Sequence, residues 1–165
     1  DGFVNHEGVD GAAIEKAWEH NAKAEAQVAK AQSRAPDRPV RAPKIRGGST
    51  ITQQLAKNLL LSGERTLLRK GQEFLLTLLL EQILSKERIL EIYLNNVEWG
   101  EGVFGAEAAA QHYFKKSAAQ LTPTDAARLA VMLPAPKRFE KTPGSAYLAG
   151  RTRTILGRMG SAELP

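Results

Sequence analysis

Polar and charged side chains recur every four residues along one leucine-rich stretch of the sequence. They are Arg65, Arg69, Glu73, Thr77 and Glu81. A spacing of four keeps side chains on one slowly turning face of a helix. A carboxylate on an apolar helix is rare unless it is paired, and Glu73 has Arg69 and Lys70 within helical reach. Nearby positive charge favours the ionised form of Glu73. The pattern predicts an ion pair, which is either structural or part of an anion-binding site.

A second polar cluster follows two glycines, Gly47 and Gly48, at a predicted helix start. On a helical wheel, one side carries hydroxyls, two amides and an ammonium. These belong to Ser49, Thr50, Gln53, Gln54 and Lys57, whereas the opposite side carries Ile51, Leu55 and Leu59. Free N–H groups at a helix start favour an anion. The cluster therefore suits sugar hydroxyls and phosphate, and an ordinary solvated helix face is the alternative interpretation.

The sequence gives little indication of a metal site, a disulfide or a dinucleotide-binding loop. The three histidines, His6, His20 and His112, have no metal-ligand spacing. The chain has no cysteine, which excludes disulfides and thiolate metal sites. A glycine-rich run at 100–105 follows no predicted strand, so a dinucleotide-binding loop is not expected. The sequence calls for no cofactor and leaves a divalent cation open.

Length and charge bound the protein class. The chain has 165 residues, enough for one domain with a real core, and a net charge of +5. Such a charge suggests an anionic partner: nucleic acid, an anionic membrane face or a phosphorylated substrate. The excess lies near the C-terminal end, in Arg128, Lys137, Arg138, Lys141, Arg151, Arg153 and Arg158. The most apolar stretch, 74–84, is interrupted by polar residues and is too short to cross a bilayer.

The apolar spacing is helical nearly everywhere, so the predicted fold class is mainly α. Asp10 can cap a first helix through Ile14 and Trp18, and Ser85 can cap the helix that starts at Lys86. Thr122 and Pro123 begin another, which ends before Pro134. The other predicted helices run over about 49–61, 66–84, 86–95, 106–114 and 146–159, with a glycine-rich loop at 96–105. The 66–84 helix is the longest apolar element and is expected to be the central buried one.

Residues 22–46 are predicted to be a mobile segment. Their first part is rich in Ala, Lys and Glu and has little apolar surface to bury. Their second part contains three prolines, which forbid a continuous helix. We expect this linker or lobe segment to be the least ordered part of a single 1–165 domain.

Five stretches, in order along the whole chain, resemble the signature motifs of the family 51 glycosyltransferases, which are the transglycosylase domains of class A penicillin-binding proteins and their monofunctional relatives. The run from Gly47 to Lys57 resembles the family's Gly-Gly-Ser-Thr-Ile-Thr-Gln-Gln-x-x-Lys, and Arg69 to Glu73 resembles Arg-Lys-x-x-Glu. The run from Lys86 to Asn95 resembles Lys-x-x-Ile-Leu-Glu-x-Tyr-Leu-Asn. The remaining two are the Arg128–Ala130 run and the group Phe3, His6 and Gly8, which is similar to the tail of the first motif.

This resemblance implies a lysozyme-like helical fold with a smaller, membrane-facing lobe. It implies polymerisation of lipid II, with release of undecaprenyl pyrophosphate and inversion of configuration. The first motif's Glu-Asp pair, which includes the general base, would precede Asp1. Glu73 matches the family's second acid, expected to orient cations and phosphates. The implied substrate-binding residues are His6, Ser49, Thr50, Gln53, Gln54, Lys57, Arg65, Arg69 and Lys70. Glu91, Tyr93, Asn95 and Arg128 are expected to hold the fold.

The implied partners are lipid II, the growing glycan strand and a membrane surface, with cell-wall synthesis proteins also to be considered. The implied location is the periplasmic side of a bacterial inner membrane, with any anchor outside this sequence. Three alternatives stay open at this point. A lysozyme-like hydrolase would share the fold but has no need for cations beside its acid. A nucleic-acid-binding domain should gather its basic residues on one helix, and they are dispersed. A non-catalytic membrane-surface module has only the basic 34–46 segment in its favour.

Overall fold

A computed structural model describes residues 3–34, 47–60 and 67–165 of the chain, without the side chains of residues 60 and 67–69. The predicted proline-rich loop at 35–46 and Arg65 therefore lie outside the described residues, as does the side chain of Arg69. The described part is mainly helical, as predicted. None of its helices is long and apolar enough to cross a membrane.

Eight α-helices and one short hairpin make up the regular structure of the described residues. They are α1 (Gly11–Arg34), α2 (Ile51–Leu60), α3 (Leu67–Ile83), α4 (Lys86–Asn96), β1 (Glu98–Gly100), β2 (Val103–Phe104), α5 (Ala106–Phe114), α6 (Pro123–Met132), α7 (Pro136–Glu140) and α8 (Ala146–Arg158). Single 3-10 turns cover Phe3–Asn5, Ala118–Gln120 and Met159–Ser161. The chain forms two compact units, Asp1–Ile83 and Leu84–Pro165.

Helix α1 begins where the sequence predicts it. The Asp10 carboxylate accepts a hydrogen bond from the Ala13 N–H at 2.8 Å, which satisfies a donor at the helix start. The helix then runs without interruption to Arg34, further than its composition suggests. Of its 24 residues only Ala17 is buried, so most of α1 has solvent around it.

Helices α2 and α3 pack against each other in the first unit, and their contact is unexpectedly polar. On α2 the buried side chains are Thr52, Gln53, Leu55 and Ala56. On α3 they are Glu73 and Thr77. The Thr52 hydroxyl donates to the Glu81 carboxylate at 2.5 Å, which joins the two helices directly.

The prediction that α3 is a central buried helix is wrong in this structure. Its large apolar side chains are exposed, by 49% for Phe74, 59% for Leu75 and 47% for Leu79. The physical reason is that α2 meets the polar stripe of α3, because Thr52 offers that stripe a hydrogen bond. The leucine-rich side is thereby turned away from the packed face.

The second unit follows the predicted helices closely and adds elements that the sequence did not reveal. Ser85 caps α4, as predicted, by accepting a hydrogen bond from the Arg88 N–H. The predicted loop at 96–105 contains the antiparallel β1–β2 hairpin. Gly105 follows it with φ of +84°, and a Cβ there would lie 2.7 Å from the Asn95 carbonyl oxygen. Only glycine fits this close approach.

The core of the second unit gathers around a buried tryptophan. The Trp99 indole N–H donates to the Leu129 carbonyl of α6 at 3.0 Å. The Tyr113 hydroxyl of α5 donates to the Trp99 carbonyl at 2.8 Å. Helix α6 starts with the predicted cap, in which Thr122 and Asp125 each accept from the other's backbone N–H. Helix α7 was not predicted.

Candidate active site

A pocket of about 260 Å³ lies within the first unit, where three helices approach one another. Helix α1 supplies one wall, the start of α2 supplies the second, and α3 supplies the third. The lining residues are Ile14, Ala17, Trp18, Asn21, Gly48, Ser49, Gln53 and Lys70. Three of the predicted substrate-binding residues, Ser49, Gln53 and Lys70, are therefore brought together from two separate motifs.

Gly48 allows α1 to lie against the start of α2. A Cβ at this position would stand 3.1 Å from the Ile14 Cα and 3.5 Å from the Ala17 Cβ. The 3.1 Å approach to the Ile14 backbone is tighter than most Cβ contacts, so a larger residue would require α1 to move by a few tenths of an ångström. The second glycine of the predicted motif therefore has a packing role, which closes the wall of the pocket.

The ion pair predicted at Glu73 is present, with Lys70 as the partner. The Lys70 Nζ lies 2.5 Å from Glu73 Oε1. The two groups differ sharply in burial, since 57% of the Lys70 side chain is exposed and only 4% of the Glu73 side chain. Lys70 lines the pocket, whereas Glu73 lies behind it and fixes the ammonium from the buried side.

Thr50 and Gln53 do not lie on an ordinary solvated face of α2, which was the alternative interpretation of this polar side. Both are buried, at 2% and 5% exposure. The Gln53 carboxamide oxygen accepts from the Thr50 N–H at 3.0 Å, and the Thr50 hydroxyl accepts from the Gln53 N–H at 3.2 Å. This reciprocal pair is a capping box. The cap engages one lone pair of the Gln53 oxygen, and no hydrogen bond from the Gln53 amide N–H groups is seen among the described residues, so these donors can serve a ligand in the pocket.

Gly8, which belongs to the end of the predicted first motif, contacts both the start of α2 and α3. Thr50 donates its hydroxyl hydrogen to the Gly8 carbonyl at 2.6 Å. Gly8 has φ of +80°, and a Cβ there would stand 2.7 Å from the Thr77 Cγ2. His6 is half-buried, packs edge-on against Phe3 with ring centroids 6.4 Å apart, and is not among the pocket-lining residues. This arrangement brings the start of the chain against the helix that carries Glu73.

Two further predicted site residues that the structure describes, Gln54 and Lys57, do not line this pocket. Lys57 is exposed in the last turn of α2, and Gln54 is half-buried, with its amide donating to the Ser49 carbonyl at 3.4 Å. Among the described residues there is no cluster of three or more histidines and carboxylates that could hold a metal ion. The described lining of the pocket offers one ammonium, one hydroxyl and the two carboxamides of Asn21 and Gln53, a set that can bind a phosphate beside a sugar.

The sequence interpretation missed the contribution of α1. Trp18 is 77% exposed and forms part of the pocket wall. Sequence reasoning used Trp18, with Ile14, only as part of the apolar spacing that predicts a first helix. The sequence could not show that Trp18 lines a pocket, because the pocket forms only where Gly48 lets α1 pack against the start of α2.

Four motif residues of the second unit are predicted to hold the fold, and two of them, Tyr93 and Arg128, pack or hydrogen-bond within that unit. Tyr93 is buried at 4% exposure, and burial raises the pKa of its hydroxyl. Arg128 donates to the Pro143 carbonyl at 2.7 Å, which ties α6 to the segment before α8. Glu91 pairs with Arg88 at 2.6 Å on the exposed side of α4.

Comparison with known proteins points to transglycosylases, both by family profile and by individual relatives. The profile of the Transglycosylase family matches residues 1–160. The chain is 58% identical over 163 residues to a biosynthetic peptidoglycan transglycosylase of Herminiimonas arsenicoxydans, covering 99% of this chain and 63% of the relative. It is 55% identical to the protein of that name from Paraburkholderia xenovorans, covering 99% and 61%, and 52% identical to that of Bordetella pertussis, covering 99% and 62%. The chain thus spans about three fifths of the length of these relatives.

Proposed function

This chain belongs to the Transglycosylase family, and from that premise we propose that the whole protein polymerises peptidoglycan glycan strands from lipid II. In this proposal it is an enzyme of cell wall synthesis. Its substrates are a lipid-linked disaccharide-peptide donor and the growing strand. The names of its relatives, biosynthetic peptidoglycan transglycosylases, support the same assignment.

The observation that carries the proposal is the Lys70–Glu73 pair at the pocket wall. A pyrophosphate leaving group accumulates negative charge as its bond to the sugar breaks, and a positioned cation stabilises that charge. The ammonium of Lys70 is held at 2.5 Å by a buried carboxylate while more than half of its side chain stays accessible. A fixed, accessible cation beside the hydrogen-bonding groups of Ser49 and Gln53 is the feature that this reaction needs.

The proposed reaction is a displacement at the anomeric carbon of the donor. The 4-hydroxyl oxygen of the acceptor sugar forms the new glycosidic bond, and its proton passes to a general base. The bond between the anomeric carbon and the pyrophosphate oxygen breaks, its electron pair leaves with undecaprenyl pyrophosphate, and configuration inverts. Lys70 would stabilise the departing oxygen, and Glu73 would orient Lys70. Ser49 and Gln53 would hydrogen-bond the sugar.

Several assignments remain proposals that rest on family membership. These are the first-motif glutamate as general base, and Lys57, Arg65 and Arg69 as further cations toward the pyrophosphate. His6, Thr50 and Gln54 are proposed to support the site through packing and capping, since their described side chains do not line the pocket.

A membrane surface is the proposed setting, on the periplasmic side of the inner membrane. The apolar side of α3, which includes Phe74, Leu75 and Leu79, is exposed. It lies on the same helix as Glu73, and the proposed substrate has a polyprenyl tail. An apolar helix face of this kind can enter the boundary between headgroups and acyl chains. Replacing Leu75 and Leu79 with Ser should lower cosedimentation of the protein with anionic vesicles, and unchanged cosedimentation would remove this part of the proposal.

A lysozyme-like glycan hydrolase is the competing function. Such an enzyme expels a sugar hydroxyl, which leaves with a proton from a general acid. Here the Glu73 carboxylate is paired with the ammonium that lines the pocket, an arrangement better suited to organising a cation than to donating a proton. This difference favours the transferase.

The test is to incubate the full-length protein with purified lipid II and separate the products by size. We expect long glycan strands and free undecaprenyl pyrophosphate. A folded protein that leaves lipid II unpolymerised would contradict the proposal. A parallel incubation with preformed glycan strands distinguishes the hydrolase, which would shorten them.

A further inference from the structure

Trp18 is the most exposed aromatic side chain among the described residues, and its position calls for an explanation. It is 77% exposed, whereas the other tryptophan, Trp99, is buried at 2%. A single exposed apolar residue is ordinary on a protein surface. Trp18, however, stands on the wall of the pocket that holds Lys70.

The wall to which Trp18 belongs is one face of α1. Ile14, Ala17, Trp18 and Asn21 are spaced by three and four residues, so they project from the same side of the helix. Gly48 brings this face against the start of α2. The opposite walls carry Ser49, Gln53 and Lys70, which are all polar. The pocket therefore has an aromatic side and a hydrogen-bonding side.

A ligand that matches both sides must have a flat apolar face and polar edges. A pyranose ring with equatorial substituents has this character, because its axial C–H bonds form the faces and its hydroxyls form the rim. An indole ring offers a large, rigid apolar surface and one N–H donor. In this pocket of about 260 Å³, the hydroxyls at the rim of the ring would face Ser49 and Gln53, which line it together with Trp18.

We propose that Trp18 is a sugar-binding residue of this pocket, whose indole stacks on one saccharide ring of the glycan substrate. The ligand class is one pyranose ring, with equatorial substituents, of the proposed disaccharide-peptide substrate. This inference rests on the proposed function for the identity of the substrate, but the stacking itself requires only that a saccharide enters the pocket. Trp18 holds the ring and takes no part in bond breaking.

The binding experiment uses full-length protein labelled with 5-fluorotryptophan and followed by ¹⁹F NMR. The resonance that disappears in Trp18→Phe belongs to Trp18, and the one that disappears in Trp99→Phe serves as a buried internal control. The probe is the soluble disaccharide-peptide without its lipid. We expect a saturable shift of the Trp18 resonance and none of Trp99. A Trp18 resonance that stays in place at saturating probe would overturn the proposal.

A kinetic experiment separates stacking from a structural role. Trp18→Ala should raise the KM for lipid II roughly tenfold with little change in kcat, as expected for loss of one aromatic contact. Trp18→Phe should restore most of the affinity. Tyr147→Ala, which removes another exposed aromatic in the second unit, is the matched control and should leave KM unchanged.

The outcomes distinguish this inference from the proposed function. If wild-type protein polymerises lipid II and Trp18→Ala has wild-type KM, the stacking proposal fails alone. If wild-type protein does not polymerise lipid II but the Trp18 resonance still shifts, the proposed function fails and the sugar site stands.

Discussion

At the scale of residues, the unequal burial of Lys70 and Glu73 decides how the pair responds to mutation. Removing a partner of a buried charge is costly only when the charge left behind stays buried. Glu73 is almost fully buried and Lys70 is more than half exposed. The two single substitutions should therefore have different effects on the free energy of unfolding.

We expect Lys70→Met to lower the free energy of unfolding by about 1–3 kcal/mol, because it strands the Glu73 carboxylate. Glu73→Gln should lower it by less than about 1 kcal/mol, because water solvates the ammonium that remains and Gln can still accept its hydrogen bond. Urea unfolding of the full-length variants measures both. Glu19→Gln, which breaks an exposed ion pair with Lys23, is the control. Equal losses for the two pair variants would contradict this account.

The sequence predicted the members of this pair but not the roles of their neighbours. Helical spacing placed Lys70 within reach of Glu73, and that contact is present. The helical wheel put Thr50 and Gln53 on a face suited to sugar and phosphate, but it did not reveal that a capping box joins and buries them. The Thr-x-x-Gln spacing of a capping box is present in the sequence, but a helical wheel does not distinguish a capping pair from a ligand-binding face.

At the scale of elements, helix starts were well predicted because caps are local. Asp10, Ser85 and Thr122 each cap the helix that follows them, as expected. The buried side of α3 was not predictable in the same way. Periodicity separates the two faces of a helix, but it does not say which face meets a neighbour. That choice depended on Thr52 of α2 facing Glu81.

The α2–α3 contact gives a direct stability test. Leu55 is 1% exposed, so Leu55→Ala should lower the free energy of unfolding by about 2–5 kcal/mol through loss of packing. Leu79 is 47% exposed, and Leu79→Ala should cost less than about 1 kcal/mol. Thermal melts of the two variants against wild type measure the difference. A larger loss for Leu79→Ala would mean that the apolar side of α3 is covered in solution.

The cap of α6 gives a pH-dependent test. The Lys116 ammonium, with help from Thr122, lowers the pKa of Asp125 to about 2, and Lys116 Nζ lies 2.5 Å from the carboxylate. A carboxyl group whose folded pKa is lowered stabilises the fold above its unfolded pKa and loses that contribution as pH falls through the folded value.

Asp125→Asn should therefore cost about 1 kcal/mol at neutral pH, less than the pKa shift alone implies because water screens the pair. The difference from wild type should shrink between about pH 4 and pH 2. Denaturant unfolding of both proteins at a series of pH values measures this difference in the free energy of unfolding. A difference that stays constant down to pH 2 would show that the carboxylate charge contributes nothing.

At the scale of the whole molecule, the chain forms two compact units joined between Ile83 and Leu84. The proposed chemistry is placed in the first unit, which holds the pocket and the Lys70–Glu73 pair. The second unit contains the tryptophan-centred core. That the 1–165 chain acts as one domain, with residues 22–46 as its mobile segment, remains a prediction.

Amide hydrogen exchange tests the prediction for 22–46. Residues 22–34 form the end of α1, where no side chain is buried, so their helix has little tertiary packing to stabilise it. We expect their amides to exchange much faster than those of α4, which carries the buried Ile89 and Tyr93. Slow exchange throughout 22–46 would show that this segment is packed.

The most direct test of the central claim is the initial rate of lipid II polymerisation by full-length Glu73→Gln, with its melting midpoint measured on the same preparation. We predict a rate at least about a hundredfold below wild type, because a preorganised electrostatic group is typically worth about 2.7–4 kcal/mol in the transition state. The melting midpoint should stay close to that of wild type, and Glu19→Gln should keep both properties. A Glu73→Gln protein that melts much earlier yet polymerises at nearly the wild-type rate in the cold would make the Lys70–Glu73 pair structural and would contradict the account.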